Sequence, residues 1–207
     1  MNFWDLINNS PVTTDGEQFK FVIVSGDLPK SGIALPYGSR KLRAGALEEL
    51  YLYKGRFWRN KIKISFLKIF NFKFVWDLFL KNKVTVKSDL TKENLFSFLT
   101  AKIGAPESII FSIYVGSRKF ILPLFGQKSG KMFGVAKIYF PGEASITYGK
   151  NEAKTLDFLE EINLAGFEFP NVVAKDYFRE CLVVILSSPK NLKNTTAIKE
   201  EHVHFLM

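Results

Sequence analysis

The chain has 207 residues, 47% of them apolar and 15% aromatic, including 21 phenylalanines, which is enough for one ordinary domain or two small ones with packed cores. Its formal charge of +9 favours anionic partners, and its single cysteine excludes an intrachain disulfide framework and fits a reducing, cytoplasmic setting. No apolar run approaches the roughly 20 residues that cross a bilayer, and MNFWDLINNS lacks the basic and apolar blocks of a secretion signal.

Taken in chain order, a short helical start leads to a strand over FKFVIV (19–24) and then to a Gly/Pro-punctuated loop, SGDLPKSGIALPYGS (25–39). RKLRAGALEELYLY (40–53) consists of good helix formers, with Leu42, Ala46, Leu47 and Leu50 at helical spacing. Residues 54–83 carry nine Lys and Arg against one acid, Asp77, so this segment holds +8 of the net charge. KIKISF alternates with period two, but Trp58, Ile62, Phe66, Ile69 and Phe70 suit a helix, which is expected from 57 onward. SDLTKENLFSFLTAKIG (88–104) reads as a helix capped at Thr91, with Glu93 in its first turn and Gly104 at its stop.

A boundary is expected near Pro106, after which the texture changes to strands: IIFSIYVGS (109–117), KFILPLFG (119–126) and, beyond a QKSGK turn, MFGVAKIYF (132–140). PGEASITYGK reads as a loop leading into the helix NEAKTLDFLEEIN, with Ala153, Leu156, Leu159 and Ile162 on one face. VVAKDYF and CLVVIL follow as a hairpin split by Arg179 and Glu180. The expected fold is α+β: a five-stranded antiparallel sheet with one packed helix over 106–190, preceded by a mainly helical, basic accessory region over 1–105. Residues 191–207 read as an exit segment and a short terminal helix capped at Thr195 or Thr196. Cys181, in an apolar run, reads as a buried structural thiol rather than a nucleophile.

One residue in the third of these strands demands a partner. Lys137 sits in GVAKIYF, where a dry, unpaired ammonium would cost several kcal/mol, and Glu152 on the next element is the nearest carboxylate able to face the sheet. Asp157, Glu160 and Glu161 fall later on that helix, among positions that face solvent. The plainer alternative is that Lys137 snorkels to a sheet edge while Glu152 only complements the helix N-terminus.

This order of elements resembles the small lobe of the protein-kinase-like fold, in the version found in aminoglycoside phosphotransferases and their bacterial relatives. There a third-strand lysine meets the nucleotide's α/β-phosphates and a glutamate of the following helix. The resemblance covers about residues 109–190. It implies an ATP-binding half-site with Lys137 and Glu152 at its centre, Gly116 and Ser117 in the turn over the phosphates, and Ser187 and Ser188 in the hinge beside adenine. Only Gly116 is present where that fold often has G-x-G-x-x-G, so Ser117 would substitute through its hydroxyl, or the turn is a plain hairpin. ALPYGSRKLRAGALEELYLY also resembles the leader of phosphotransferase-like lobes in some bacterial surface-polysaccharide gene clusters.

The resemblance also exposes what the chain lacks. Phosphoryl transfer in that fold needs an H-x-D aspartate and a second, magnesium-holding aspartate after the hinge, whereas here the two histidines are His202 and His204 and no aspartate follows Asp176. The expectation is a truncated relative that binds ATP weakly and is not competent alone, with a large lobe on a separate polypeptide as one possible partner. His202 and His204 with Glu200 and Glu201 make a poor metal set, and no metal site is assigned. A different class of function rests on 54–83, whose charges interleave with Trp58, Phe66, Phe70, Phe72 and Trp76. Such a segment could meet a protein, an anionic membrane surface or nucleic acid, or simply be a solvated face over an ordinary core.

Overall fold

Strand-forming runs on both sides of Pro106 pair into one sheet. The structure, a computed structural model, describes Leu6 and residues 17–27, 31–52, 65–80, 82–88, 94–162 and 169–188. Its strands are β1 (Glu17–Asp27), β2 (Ser31–Pro36), β3 (Lys83–Ser88), β4 (Ile109–Phe111), β5 (Ile113–Val115), β6 (Lys119–Gly126), β7 (Met132–Tyr139), β8 (Val172–Phe178) and β9 (Cys181–Ser187). The helices are α1 (Arg40–Leu52), α2 (Lys73–Phe79), α3 (Leu95–Ile103) and α4 (Glu143–Ile162), with a further helical turn over 65–69.

All strand pairs are antiparallel, in the order β3-β1-β2-β5-β6-β7-β9-β8, with β4 also on β6. The fold is α+β as expected, but the sheet has nine strands rather than five, and the region before residue 106, although it holds more helical than strand residues among those described, also contributes to that sheet. Three strands come from that region. KVTVKS alternates β-branched residues with polar ones, a half-buried strand signal, with Val86 buried in the core. SGIALP, read as loop from its Gly and Pro, forms β2, with Pro36 at the strand end where no further ladder donor is needed. β2 then pairs with β5 through Gly32 and Val115, so sheet and core run unbroken across residue 106.

IIFSIYV, expected as one strand, divides at Ser112. The facing residue on β6 is Pro123, whose carbonyl accepts from the Ser112 amide at 3.0 Å but which has no N–H to return, so the ladder is interrupted there. α3 is capped at Asn94, not at Thr91, which lies outside the described residues with Glu93. The Asn94 side chain accepts from the Ser97 amide at 2.9 Å while Ser97 Oγ accepts from the Asn94 amide, a reciprocal cap. Gly104 ends this helix with φ +63°, as its position suggests.

The run CLVVIL is apolar throughout because β9 is covered on both faces. Cys181, Val183 and Ile185 join the main core with Phe98, Leu99 and residues of α1, whereas Leu182, Val184 and Leu186 pack with Tyr139 and Ala153 under α4. Burial pushes the Cys181 thiol pKa up, in keeping with a structural role. In α1, Leu42, Ala46 and Leu47 are buried as expected, and the Leu50 side chain lies outside the described ones.

α4 begins at Glu143, eight residues before the expected start, so PGEASITYGK is largely helix and Glu152 sits mid-helix rather than in its first turn. Gly149 and β-branched neighbours read as loop formers, yet the glycine has a packing reason. A Cβ there would lie 2.6 Å from Tyr139 Cδ2, so only glycine admits the buried tyrosine ring beneath the helix. Gly149→Ala gains about 0.5–1 kcal/mol of helix propensity but must displace that ring. The expected outcome is net destabilisation, read as a lower urea midpoint at unchanged slope.

Candidate functional site

Period-two geometry puts Val135, Lys137 and Tyr139 on the α4 side of β7, and register places Ile121 of β6 opposite Lys137 and Lys119 opposite Tyr139. Lys119 and Lys137 therefore share one face on adjacent strands. Glu152 descends from α4 between them: Lys119 Nζ donates to its Oε2 at 2.7 Å, Lys137 Nζ to Oε1, and the Tyr139 hydroxyl to Oε2. The lysine side chains are 18% exposed and that of Glu152 23%. The snorkelling alternative is thereby excluded for Lys137, and helix-terminus complementation for Glu152.

Burial favours the protonated form of Glu152, but the donors Lys119, Lys137 and Tyr139 outweigh it and bring its pKa down to about 2. The Tyr139 hydroxyl, buried and beside that carboxylate, is driven well above the ordinary phenol range. Lys119 Nζ also lies 5.1 Å from the ring centroids of both Tyr139 and Tyr148. Two ammonium groups on one carboxylate leave the centre with a surplus positive charge, an arrangement that suits a small anion.

The other expected site residues lie at the two ends of the strands. Gly116 and Ser117 form the exposed β5–β6 turn at the Tyr139 end, where the Gly116 amide donates to Lys119 O at 3.0 Å and so is already engaged. Ser187 pairs with Gly134 at the opposite end, roughly 17 Å along the strands at about 3.4 Å per residue. Its amide donates to Asn171 O at 2.9 Å and that of Ser188 to Phe133 O at 3.3 Å, so neither is open to an adenine ring. The structure thus brings Lys137 and Glu152 together, sets the Gly116–Ser117 turn at one strand end, and places Ser187 and Ser188 far from it. Asp157, Glu160 and Glu161 are exposed, as expected.

Lys119 and Tyr139 were not among the expected residues. Tyr139 was legible as the i+2 neighbour of Lys137; Lys119 needed the β6–β7 register. A second acid also stands out. Glu49 of α1 is 9% exposed, its Oε2 accepts from the Tyr114 hydroxyl at 2.5 Å, and burial raises its pKa to about 7 against the lowering effect of that bond. Its spacing, seven after Leu42 and three after Ala46, puts it on the apolar stripe.

Trp76, a candidate base-stacking residue, is fully buried. Among the described residues no group of three His, Cys, Asp or Glu could hold a metal ion, and no helix is long and apolar enough to cross a membrane. His202, His204, Trp58, Thr195 and Thr196 lie outside the described residues. No family model matches the chain, and no curated protein or solved structure matches it either.

The two acids predict opposite pH responses. The lowered pKa of Glu152 makes its stabilising contribution complete above about 4.5 and lost as pH falls toward 2, so the deficit of Glu152→Gln in urea midpoint shrinks on acidification through that window. The raised pKa of Glu49 means the folded state holds a proton that the unfolded state gives up near 4.5, so stability falls as pH rises toward and past 7. Glu49→Gln, which keeps a partner for Tyr114, should gain on wild type between pH 5 and pH 8, up to about 3 kcal/mol; equal gaps at both pH values would refute the assignment.

Proposed function

We propose that the centre formed by Lys119, Lys137 and Glu152 binds the phosphates of a nucleotide, as the small lobe of a kinase-like phosphotransferase does. The observation that carries the reading is the ion pair between Lys137 on β7 and Glu152 on α4, the helix that follows it. Further support comes from the sequence of elements. The 109–115 run, β6 and β7 are followed by α4 and then by the β8–β9 hairpin, with β9 placed beside β7, so the lysine falls on the third strand of the set and the glutamate on the next helix.

The surplus charge on Lys119 and Lys137 would meet phosphate oxygens beside the Ser117 turn. With the amides of Ser187 and Ser188 engaged, affinity would reside at the phosphate end of the ligand rather than in adenine contacts. Binding alone, not transfer, is assigned to these 207 residues, because the catalytic and magnesium-holding aspartates of phosphoryl transfer have no counterpart in them. Any chemistry would require acids supplied from outside them, and a link to glycan metabolism rests only on the resemblance of the segment that leads into and forms α1.

The test is thermal unfolding with ATP, ADP or inorganic tripolyphosphate, each with and without Mg²⁺. At a tenfold excess over Kd the expected stabilisation is about 1.4 kcal/mol, or roughly 3–6 °C in Tm for a chain of this size, similar for all three ligands and absent in Lys137→Met. A flat response to every ligand, with wild type and variant alike, would remove the nucleotide reading and leave Lys137 and Glu152 as a structural pair.

A further inference from the structure

Residues 65–80, within the basic stretch of the sequence, are apolar on two sides. Leu67, Val75, Trp76 and Leu80 are buried and fasten it to the main core. Its outward side shows Ile69 at 73% exposure, Phe74 at 69%, Leu78 at 65%, Phe72 at 50% and Phe70 at 43%. A surface segment covering a core normally turns polar side chains outward, so large apolar side chains exposed between Ile69 and Leu78, with the Phe72 and Phe74 rings 6.0 Å apart, call for a second contact.

The chemistry around the cluster narrows the occupant. Lys68 and Lys73 stand exposed beside these residues in the chain, and Arg40 lies 5.8 Å from the Phe72 ring centroid. Asp77 is itself held by Lys83 and by the Tyr37 hydroxyl, at 2.6 Å for the latter. We infer that this face docks on an anionic lipid bilayer, with Ile69, Phe74 and Leu78 entering the headgroup–acyl boundary and the lysines meeting lipid phosphates and carboxylates. Charge complementarity alone would equally suit nucleic acid. Two features favour lipid: Ile69 and Leu78 have no aromatic face for a base to stack on, and Trp76, the strongest stacking side chain among the described residues here, is turned into the core.

The face is firmly mounted. Arg43 Nε donates to Asn71 Oδ1 at 3.0 Å and its Nη2 to Asn71 O at 3.1 Å, while Asn71 Nδ2 donates to Arg40 O at 2.9 Å. This buried knot joins α1 to the turn between the helical residues 65–69 and α2 and so anchors the residues on either side of that turn. The inference is independent of nucleotide binding, since none of its residues belongs to the Lys137 centre.

Sedimentation of the full chain with vesicles tests it. Vesicles of phosphatidylcholine with about a third phosphatidylserine should retain the protein roughly tenfold or more better than phosphatidylcholine alone, and retention should fall with added salt. The double variant Phe74→Ser/Leu78→Ser should lower retention roughly tenfold with an unchanged thermal unfolding curve, since both side chains project into solvent. Lys73→Glu should weaken binding and flatten its salt dependence. Equal retention on neutral and anionic vesicles, no effect of the double variant, or no retention on either vesicle would overturn the inference. So would binding of a single-stranded oligonucleotide under conditions where vesicles are not retained, which would reassign the face to nucleic acid.

Discussion

A carboxylate between two ammonium groups organises the C-terminal half of the sheet. Lys119 and Lys137 project from adjacent strands on one face, where their mutual repulsion in a partly desolvated site would oppose the β6–β7 pairing. Glu152 turns that repulsion into two attractions and takes a third donor, the Tyr139 hydroxyl. The same Tyr139 ring fills the space left by Gly149 one turn earlier on α4. Helix placement and charge neutralisation are therefore coupled: the glycine lets the helix come close, and the tyrosine beneath it helps fix the carboxylate that closes the electrostatic circuit. Two ammonium groups on one carboxylate still leave a surplus positive charge at this centre.

The second organising feature is the continuity of the sheet. β1, β2 and β3 extend it from β5, and a single large core joins residues from Leu6 to Ile185. This makes residues 65–80 part of the folded body: Leu67, Val75, Trp76 and Leu80 are core residues, and the Arg43–Asn71 knot satisfies buried polar groups that would otherwise penalise the irregular backbone near residue 71. Rigid support below and apolar side chains above give the surface between them a defined shape.

Much of the local structure was legible in the sequence. The strands of the 109–140 meander, the β8–β9 hairpin, the Gly104 stop and the helical face of α1 follow from periodicity and turn chemistry, and the pairing of Lys137 with Glu152 follows from the cost of leaving a charge dry. The errors have specific physical sources. Gly and Pro were read as loop punctuation in SGIALP and SITYG, where neighbouring elements rewarded strand and helix instead, through pairing with β1 and β5 in one case and contact with Tyr139 in the other. KVTVKS carried a plain alternation that a mainly helical reading of the N-terminal region does not use.

What the sequence by itself determined was the set of apolar periodicities, the excess of cations over 54–83 and the need of Lys137 for an anion, because these depend on the order of residues along the chain. The tertiary structure alone decided that Lys119 joins that anion, that Ser187 and Ser188 lie a strand's length from Gly116 and Ser117 with their amides engaged, and that Trp76 faces inward while Phe74 faces out. Each of these depends on strand register or on which face of an element meets the core, and both are set by contacts between segments far apart in the chain.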